Sequence, residues 1–152
     1  MPASISIRRA SVSDKLSLLN IEACSFDTDK ISPRQMHYLL TQAKATTLLA
    51  VDGAQAVGYA LCLLPRLPRP ARLYSLAVLP EWRGRGLARN LCESLLTELR
   101  SLHYSRCRLE VRKSQIDVQN FYLSLGFRPI AELPAYYQDG ADGLHMECLL
   151  NG

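Results

Sequence analysis

The spacing of apolar positions changes several times along the chain, and each change marks an element. Between Leu73 and Leu79 the run LYSLAVL is almost continuously apolar, as in a strand covered on both faces. After a turn crowded with glycine and arginine, Leu87, Leu91, Leu95, Leu99 and Leu102 fall mostly four apart and line one face of a helix. Residues 106 to 112 then alternate: Cys107, Leu109 and Val111 face one way, Arg106, Arg108, Glu110 and Arg112 the other. A shorter helix runs from about Gln115 to Leu125, where Gly126 stops it, and strands follow at 127–133 and 144–150. Upstream, Ile5 and Ile7 alternate with polar neighbours in a first strand, and Ser13 opens a helix carrying Leu16, Leu19 and Ala23. Ser32-Pro33 caps a second helix reaching about Gln42. Leu48 to Val51 and Ala56 to Leu64 form a hairpin about Asp52-Gly53. The proline-rich PRLPRPAR fits neither regular state and leads into the central strand. The sum is one α/β domain over residues 1–152, with about seven strands and four helices around a single strand–turn–helix–strand unit.

Hydrophobic content of 48% and charged content of 21% place the chain among globular proteins and exclude disorder. Its net charge of +4 matters more for its kind than its size, because 14 of the 18 basic residues are arginine, whose planar fork suits phosphate. The basic residues are scattered with few aromatics among them, so no nucleic-acid partner is expected. The five cysteines contain no CxxC pair and sit mostly in apolar runs, as reduced thiols of the cytoplasm do. MPASISIRRA lacks a signal-peptide core, and no apolar run approaches the ~20 residues that span a bilayer. His37, His103 and His145 are mutually isolated, which gives no metal site and makes them structural or surface residues.

The helix entrance at Arg83-Gly84-Arg85-Gly86-Leu87-Ala88-Arg89 is the odd feature. Three cations stand where free N–H groups and the macrodipole already place positive charge, so an anion belongs there. Gly84 and Gly86 let main chain approach it closely. The reading is a pyrophosphate cradle; a solvated arginine-rich turn is the bland alternative. A Walker A loop is excluded, since Leu87-Ala88 stands where Lys-Ser/Thr is needed. A dinucleotide fingerprint fits in part, with Glu110 near the ribose-binding offset. Against it stand Arg89 at the third glycine, four residues between strand and glycines, and no second mononucleotide half.

These residues resemble a known family. Arg83 to Ala88 matches the Arg/Gln-x-x-Gly-x-Gly/Ala signature of the GCN5-related N-acetyltransferases (GNAT), and LEVRKSQIDVQNFYLSLGFRPI resembles their later helix and Tyr-x-x-x-Gly-Phe segment. The resemblance covers essentially the whole chain, and within the family Leu109 to Arg112, Tyr122 and Tyr136-Tyr137 look most like the ribosomal-protein-alanine and peptide N-terminal acetyltransferases. It implies a mixed, strongly bent sheet that splays between strands 4 and 5 to admit acetyl-CoA. By position, the backbone of Leu76, Ala77 and Val78 would bond the pantetheine arm, and the amides of Arg83, Gly84, Arg85, Gly86, Leu87, Ala88 and Arg89 would hold the pyrophosphate. Gln115 replaces the usual asparagine at the start of the later helix.

The implied reaction is direct attack of a primary amine on the thioester of acetyl-CoA, most simply the α-amine of a protein or peptide. An α-amine near pKa 8 is partly neutral at physiological pH, so a modest base serves it. Glu110 is the candidate base and Tyr122 the candidate acid. The bland alternatives are a carboxylate paired with Arg108 or Arg112, and an aromatic packed on the sheet. Phe26, Tyr136 and Tyr137 are expected to border the acceptor groove, where Asp139, Asp142, Asp27 and Asp29 would attract a cationic amine or serve merely as turn residues. A small-molecule amine is the second acceptor class, and a non-catalytic CoA- or nucleotide-binding module is the reading from another class. The chain is expected to be a monomer or homodimer.

Overall fold

The computed structural model describes residues 5–26 and 30–150; Asp27 and Asp29 lie outside them. Seven strands form one sheet in the order β1-β2-β3-β4-β5-β7-β6. They are β1 (Ile5–Arg9), β2 (Ala45–Asp52), β3 (Gln55–Leu63), β4 (Ala71–Val78), β5 (Arg106–Arg112), β6 (Arg128–Leu133) and β7 (Gly143–Leu149). The helices are α1 (Lys15–Ser25), α2 (Pro33–Thr41), α3 (Leu87–Ser101) and α4 (Ile116–Ser124). Among the described residues no helix is long and apolar enough to cross a membrane.

Most elements stand where the periodicity puts them. Ser32 caps α2 by accepting the Gln35 N–H at 3.1 Å, with Pro33 in its first turn. In α3 the stripe Leu87, Leu91, Leu95 and Leu99 is buried, together with Cys92 and Leu96. Leu102, the last of the predicted series, is past the helix end and 37% exposed. Four of the five thiols are buried and unpaired, and burial pushes the Cys92 thiol up to about 12.

In α1 the residues Leu16, Leu19 and Ala23 do not form the buried face. Its buried face is Leu18, Ile21 and Glu22, while Leu16 is 80% exposed and Ala23 is also on the surface. The segment offers two leucine stripes, and tertiary contacts choose between them. A 3-10 turn at Val12–Asp14, tied back by Arg8 to Asp14 at 2.9 Å, sets the entry of the helix. The sheet then supplies partners for Glu22, which a hydrophobic pattern cannot register.

Helices cover both faces of the sheet because neighbouring β3 residues point oppositely. A Cβ on Gly58 would meet the Ala77 carbonyl at 3.1 Å and Leu91 of α3 at 3.4 Å, so α3 packs close on that side. Tyr59, next in sequence, points to α1 and donates its hydroxyl to Glu22 Oε1. Ser75 Oγ donates to the same oxygen at 2.9 Å, and Ile31 N–H to Oε2 at 2.8 Å. Glu22, 2% exposed, thereby ties α1 to β3, to β4 and to the start of α2. Burial and the neighbouring Glu22 both push the Tyr59 phenol upward, so Tyr59 remains a donor.

Replacing Glu22 by alanine leaves the buried Ile31 N–H without an acceptor, and also one of the Tyr59 and Ser75 hydroxyls, which lie 2.8 Å apart and can bond each other; a loss of about 3 kcal/mol is expected. Glu22→Gln keeps one amide oxygen as acceptor and is expected to lose less than half as much. Urea denaturation of both variants checks this, and equal losses would contradict the hydrogen-bond account.

Candidate active site

β4 and β5 run parallel but share only two paired positions, Ala71 with Cys107 and Arg72 with Arg108. Each stays bonded to its outer neighbour: β4 pairs with β3 through Val78, and β5 pairs with β7 through Arg112. The backbone groups that alternate toward the missing partner therefore face a gap, and buried N–H and C=O groups require partners. A cleft of about 630 Å³ opens there, walled by Leu73 to Leu76 on one side and Leu109 to Arg112 on the other. Past Leu76 it passes into a recess of about 330 Å³ beside Ala77, Val78, Arg83, Ala88 and Tyr122.

At the far end of β4 a turn at Pro80–Trp82 delivers the chain to the glycine corner. Gly84 and Gly86 have φ of +78° and +80°, which a residue with a Cβ rarely adopts, and a Cβ at either would meet nothing within 4 Å. Open space therefore faces the main chain here. Gly86 is the N-cap of α3 without a side-chain cap, and no acidic residue occupies the first turn. The three arginines do not converge. Arg83 Nε donates to the Val78 carbonyl at 3.0 Å and borders both cavities, whereas Arg85 lies over the Trp82 ring at 4.4 Å. Arg89 reaches Ser124 Oγ at 3.1 Å and Glu93 at 3.4 Å. What the corner presents to an anion is chiefly backbone N–H and the helix dipole, a fit for a diphosphate. Gln115 stands across the cleft at the N-cap of α4, exposed and without a side-chain capping bond.

Glu110 and Tyr122 both wall the cleft, Glu110 from β5 and Tyr122 from α4. Glu110 pairs with neither Arg108 nor Arg112. Arg108 binds Glu147 at 2.7 Å and Arg112 binds Asp139 at 2.9 Å. Glu110 Oε1 accepts from Arg72 Nε at 2.8 Å and lies 2.7 Å from Arg72 Nη2, and its Oε2 lies 3.2 Å from His145 Nε2. Burial works against the Arg72 charge, but Glu110 outweighs it by Coulomb attraction and hydrogen bonding, so the Arg72 pKa rises. The carboxylate, 12% exposed, is thus held in place on both sides.

Tyr122 is 7% exposed and packs edge-on against Phe127, with ring centroids 5.5 Å apart. Burial pushes its phenol far above the ordinary range, with smaller contributions from Cys92 and Cys107. It remains a neutral phenol on a residue that lines the cleft. Phe26 ends α1 at the cleft rim. Tyr136 and Tyr137 stand opposite, edge to face at 5.0 Å; Tyr136 Oη accepts from Arg72 at 3.3 Å, and Arg112 lies over the Tyr137 ring at 4.2 Å. The aspartates of this loop serve as turn and pairing residues: Asp142 accepts the Ala135 N–H, and Asp139 the Ala141 N–H and Arg112.

Three residues at this site escaped the sequence reading, Arg72, His145 and Ser75, and so did the buried Glu22 that accepts from Ser75. The sequence makes His145 a structural or surface residue, yet the β5–β7 register sets it opposite Glu110. Alternation across two late strands was the only available signal, and it needed the pairing to be known. No group of three or more His, Cys, Asp or Glu among the described residues could hold a metal ion.

Known proteins share the fold of this chain. The acetyltransferase (GNAT) domain family matches residues 14–150. An uncharacterized N-acetyltransferase of Methanocaldococcus jannaschii is 30% identical over 143 residues, covering 92% of this chain and 88% of its own. An N-alpha-acetyltransferase of Sulfurisphaera tokodaii is 27% identical over 92% of this chain and 90% of its own. The crystal structure of the ribosomal-protein-S18-alanine N-acetyltransferase from Escherichia coli has the same fold, with a TM-score of 0.88 at 23% identity, over 97% of this chain and 95% of that one. The protein therefore belongs to the GNAT family of acetyltransferases, enzymes that transfer an acetyl group from acetyl-CoA to an amine.

Proposed function

We propose that this enzyme acetylates the N-terminal α-amine of a protein or peptide, with Glu110 as proton acceptor and Tyr122 as proton donor. The observation that carries the reading is that Glu110 and Tyr122 wall one cleft, opened where β4 leaves β5, with the glycine corner at its end. Relatives named for N-alpha and ribosomal-protein-alanine acetylation support the choice of acceptor.

The co-substrate supplies a thioester whose carbonyl the amine attacks. The amides of Arg83, Gly84, Arg85, Gly86, Leu87, Ala88 and Arg89 hold its diphosphate. The unpaired edge of Leu76, Ala77 and Val78 bonds its amide arm, and Gln115 reaches it from α4. Glu110, fixed by Arg72 and His145, receives the proton that the attacking ammonium must lose, directly or through one water. As the carbon–sulfur bond breaks, the neutral Tyr122 hydroxyl donates to the departing sulfur. Phe26, Tyr136 and Tyr137 border the path of the acceptor, and their large rings suit a peptide more than a bare amine.

Glu110→Gln and Tyr122→Phe are each expected to lower kcat at least about a hundredfold while leaving CoA affinity within about threefold. Wild-type turnover in both variants would remove the assigned chemistry. Gly86→Asp places a side chain and a negative charge on a left-handed backbone position, and CoA binding by calorimetry is expected to vanish while circular dichroism stays native. Unchanged affinity would remove the cradle. The acceptor is tested by acetyl-CoA consumption with N-terminal peptides, N-terminally blocked lysine peptides and small primary amines. The free α-amine peptides are expected to be preferred, and turnover of small amines alone would overturn the reading.

A further inference from the structure

Some of this chain's 18 cations are neutralised at close range and others are not. Among the described residues, Arg8, Arg9, Arg72, Arg89, Arg106, Arg108, Arg112 and Lys113 each lie within 4.0 Å of a carboxylate oxygen. Lys44, Arg66 and Arg69 have no such partner among the described residues, yet they stand together. They rim a hollow of about 530 Å³ between α2, the end of β3 and the proline-rich connection to β4. Its described lining contains no carboxylate, and Tyr38 and Tyr74 add two aromatic faces. Pro65, Pro68 and Pro70 fix the backbone that carries Arg66 and Arg69, which lowers the ordering cost of a charged contact there.

The hollow adjoins the acetylation site. It shares Gln35 and Tyr74 with the cleft between β4 and β5. It also shares Leu63, Pro65 and Arg69 with a trough of about 450 Å³ that ends at Arg72, Glu110, Tyr136 and His145. That trough is mainly apolar, walled by Leu63, Pro65, Pro70, Ala71 and Leu133 along with those groups. A walled path thus runs from the proposed base to three unneutralised cations.

We propose that this path takes the residues following the acceptor's N-terminus, and that the enzyme selects protein N-termini carrying Asp or Glu within the first several positions. The proposal rests on the N-terminal reading above and specifies its substrate class. Once the α-amine sits at Glu110, the next side chains leave over the apolar trough, and a carboxylate beyond it meets Lys44, Arg66 and Arg69. All three cations are solvent-exposed, so pairing them costs little desolvation. Their field also raises the encounter rate of an acidic segment and repels a basic one. A small amine spans none of this path and gains nothing from it.

The test is acetylation of three peptides sharing their first two residues and followed by acidic, neutral or basic residues, at low and at about 0.5 M salt. The acidic peptide is expected to exceed the neutral one by about tenfold in kcat/KM at low salt, the sum of a few exposed ion pairs, and to lose that advantage at high salt. Arg66→Glu combined with Arg69→Glu is expected to remove the preference, with turnover of the neutral peptide unchanged. Lys44→Glu, on a separate turn, is expected to reduce it independently. Equal turnover of the three peptides, or preference for the basic one, overturns the proposal and leaves the N-terminal reading standing. Turnover of small amines with no peptide acetylated defeats the N-terminal reading instead, and this proposal with it. An RNA oligonucleotide that competes with the acidic peptide for wild type but not for the arginine variants assigns the patch to nucleic acid, and this too overturns it.

Discussion

The fold depends on a parallel pair that is left unfinished. β4 and β5 meet at two positions and then separate, while each remains bonded to the strand on its other side. A broken ladder inside a sheet leaves main-chain donors and acceptors facing one another without reach, a cost that burial would make severe. The gap is relieved by being opened to the surface as a cleft, and an extended amide-bearing ligand can complete the ladder. The same separation that weakens the sheet makes the binding surface.

The two walls of that gap are fixed by different means. β4 is clamped on its α1 side by Glu22, which accepts from Tyr59, Ser75 and Ile31 and holds the α1–α2 connection against the central strand. β5 is fixed by charge: Arg72 crosses to Glu110 close to the point of parting, and His145 holds the other carboxylate oxygen. A buried carboxylate with several donors on one wall and a bracketed one on the other give a rigid cleft without a continuous hydrogen-bond ladder. Pre-set walls of this kind let binding energy act on orientation of the reactants instead of on ordering the protein.

Charge is distributed to the same effect. Arginines scattered along the sequence include ion pairs around the sheet edge, one cation bracketing the proposed base, and Arg66 and Arg69, which have no carboxylate partner among the described residues. At the glycine corner the guanidiniums are turned aside onto Trp82, Ser124 and the Val78 carbonyl, leaving main chain to face the cavity. Positive charge there supports an anion from the flanks and adds to the helix dipole.

The sequence by itself determined whatever rests on local periodicity and on residue types with special backbone demands. The leucine stripe of α3, the alternation of β5, the Ser32-Pro33 cap and the two positive-φ glycines of the corner all follow from neighbours within a few residues. The resemblance to acetyltransferases then singled out Glu110 and Tyr122 as candidates. Tertiary structure decided the rest: which stripe of α1 faces inward, that Arg72 and not Arg108 or Arg112 answers Glu110, that His145 stands beside Glu110, and that the buried Glu22 finds Ser75. These depend on register and on partners 35 to 53 residues apart. A carboxylate's partner is set by which strands lie side by side, and no spacing along the chain encodes that.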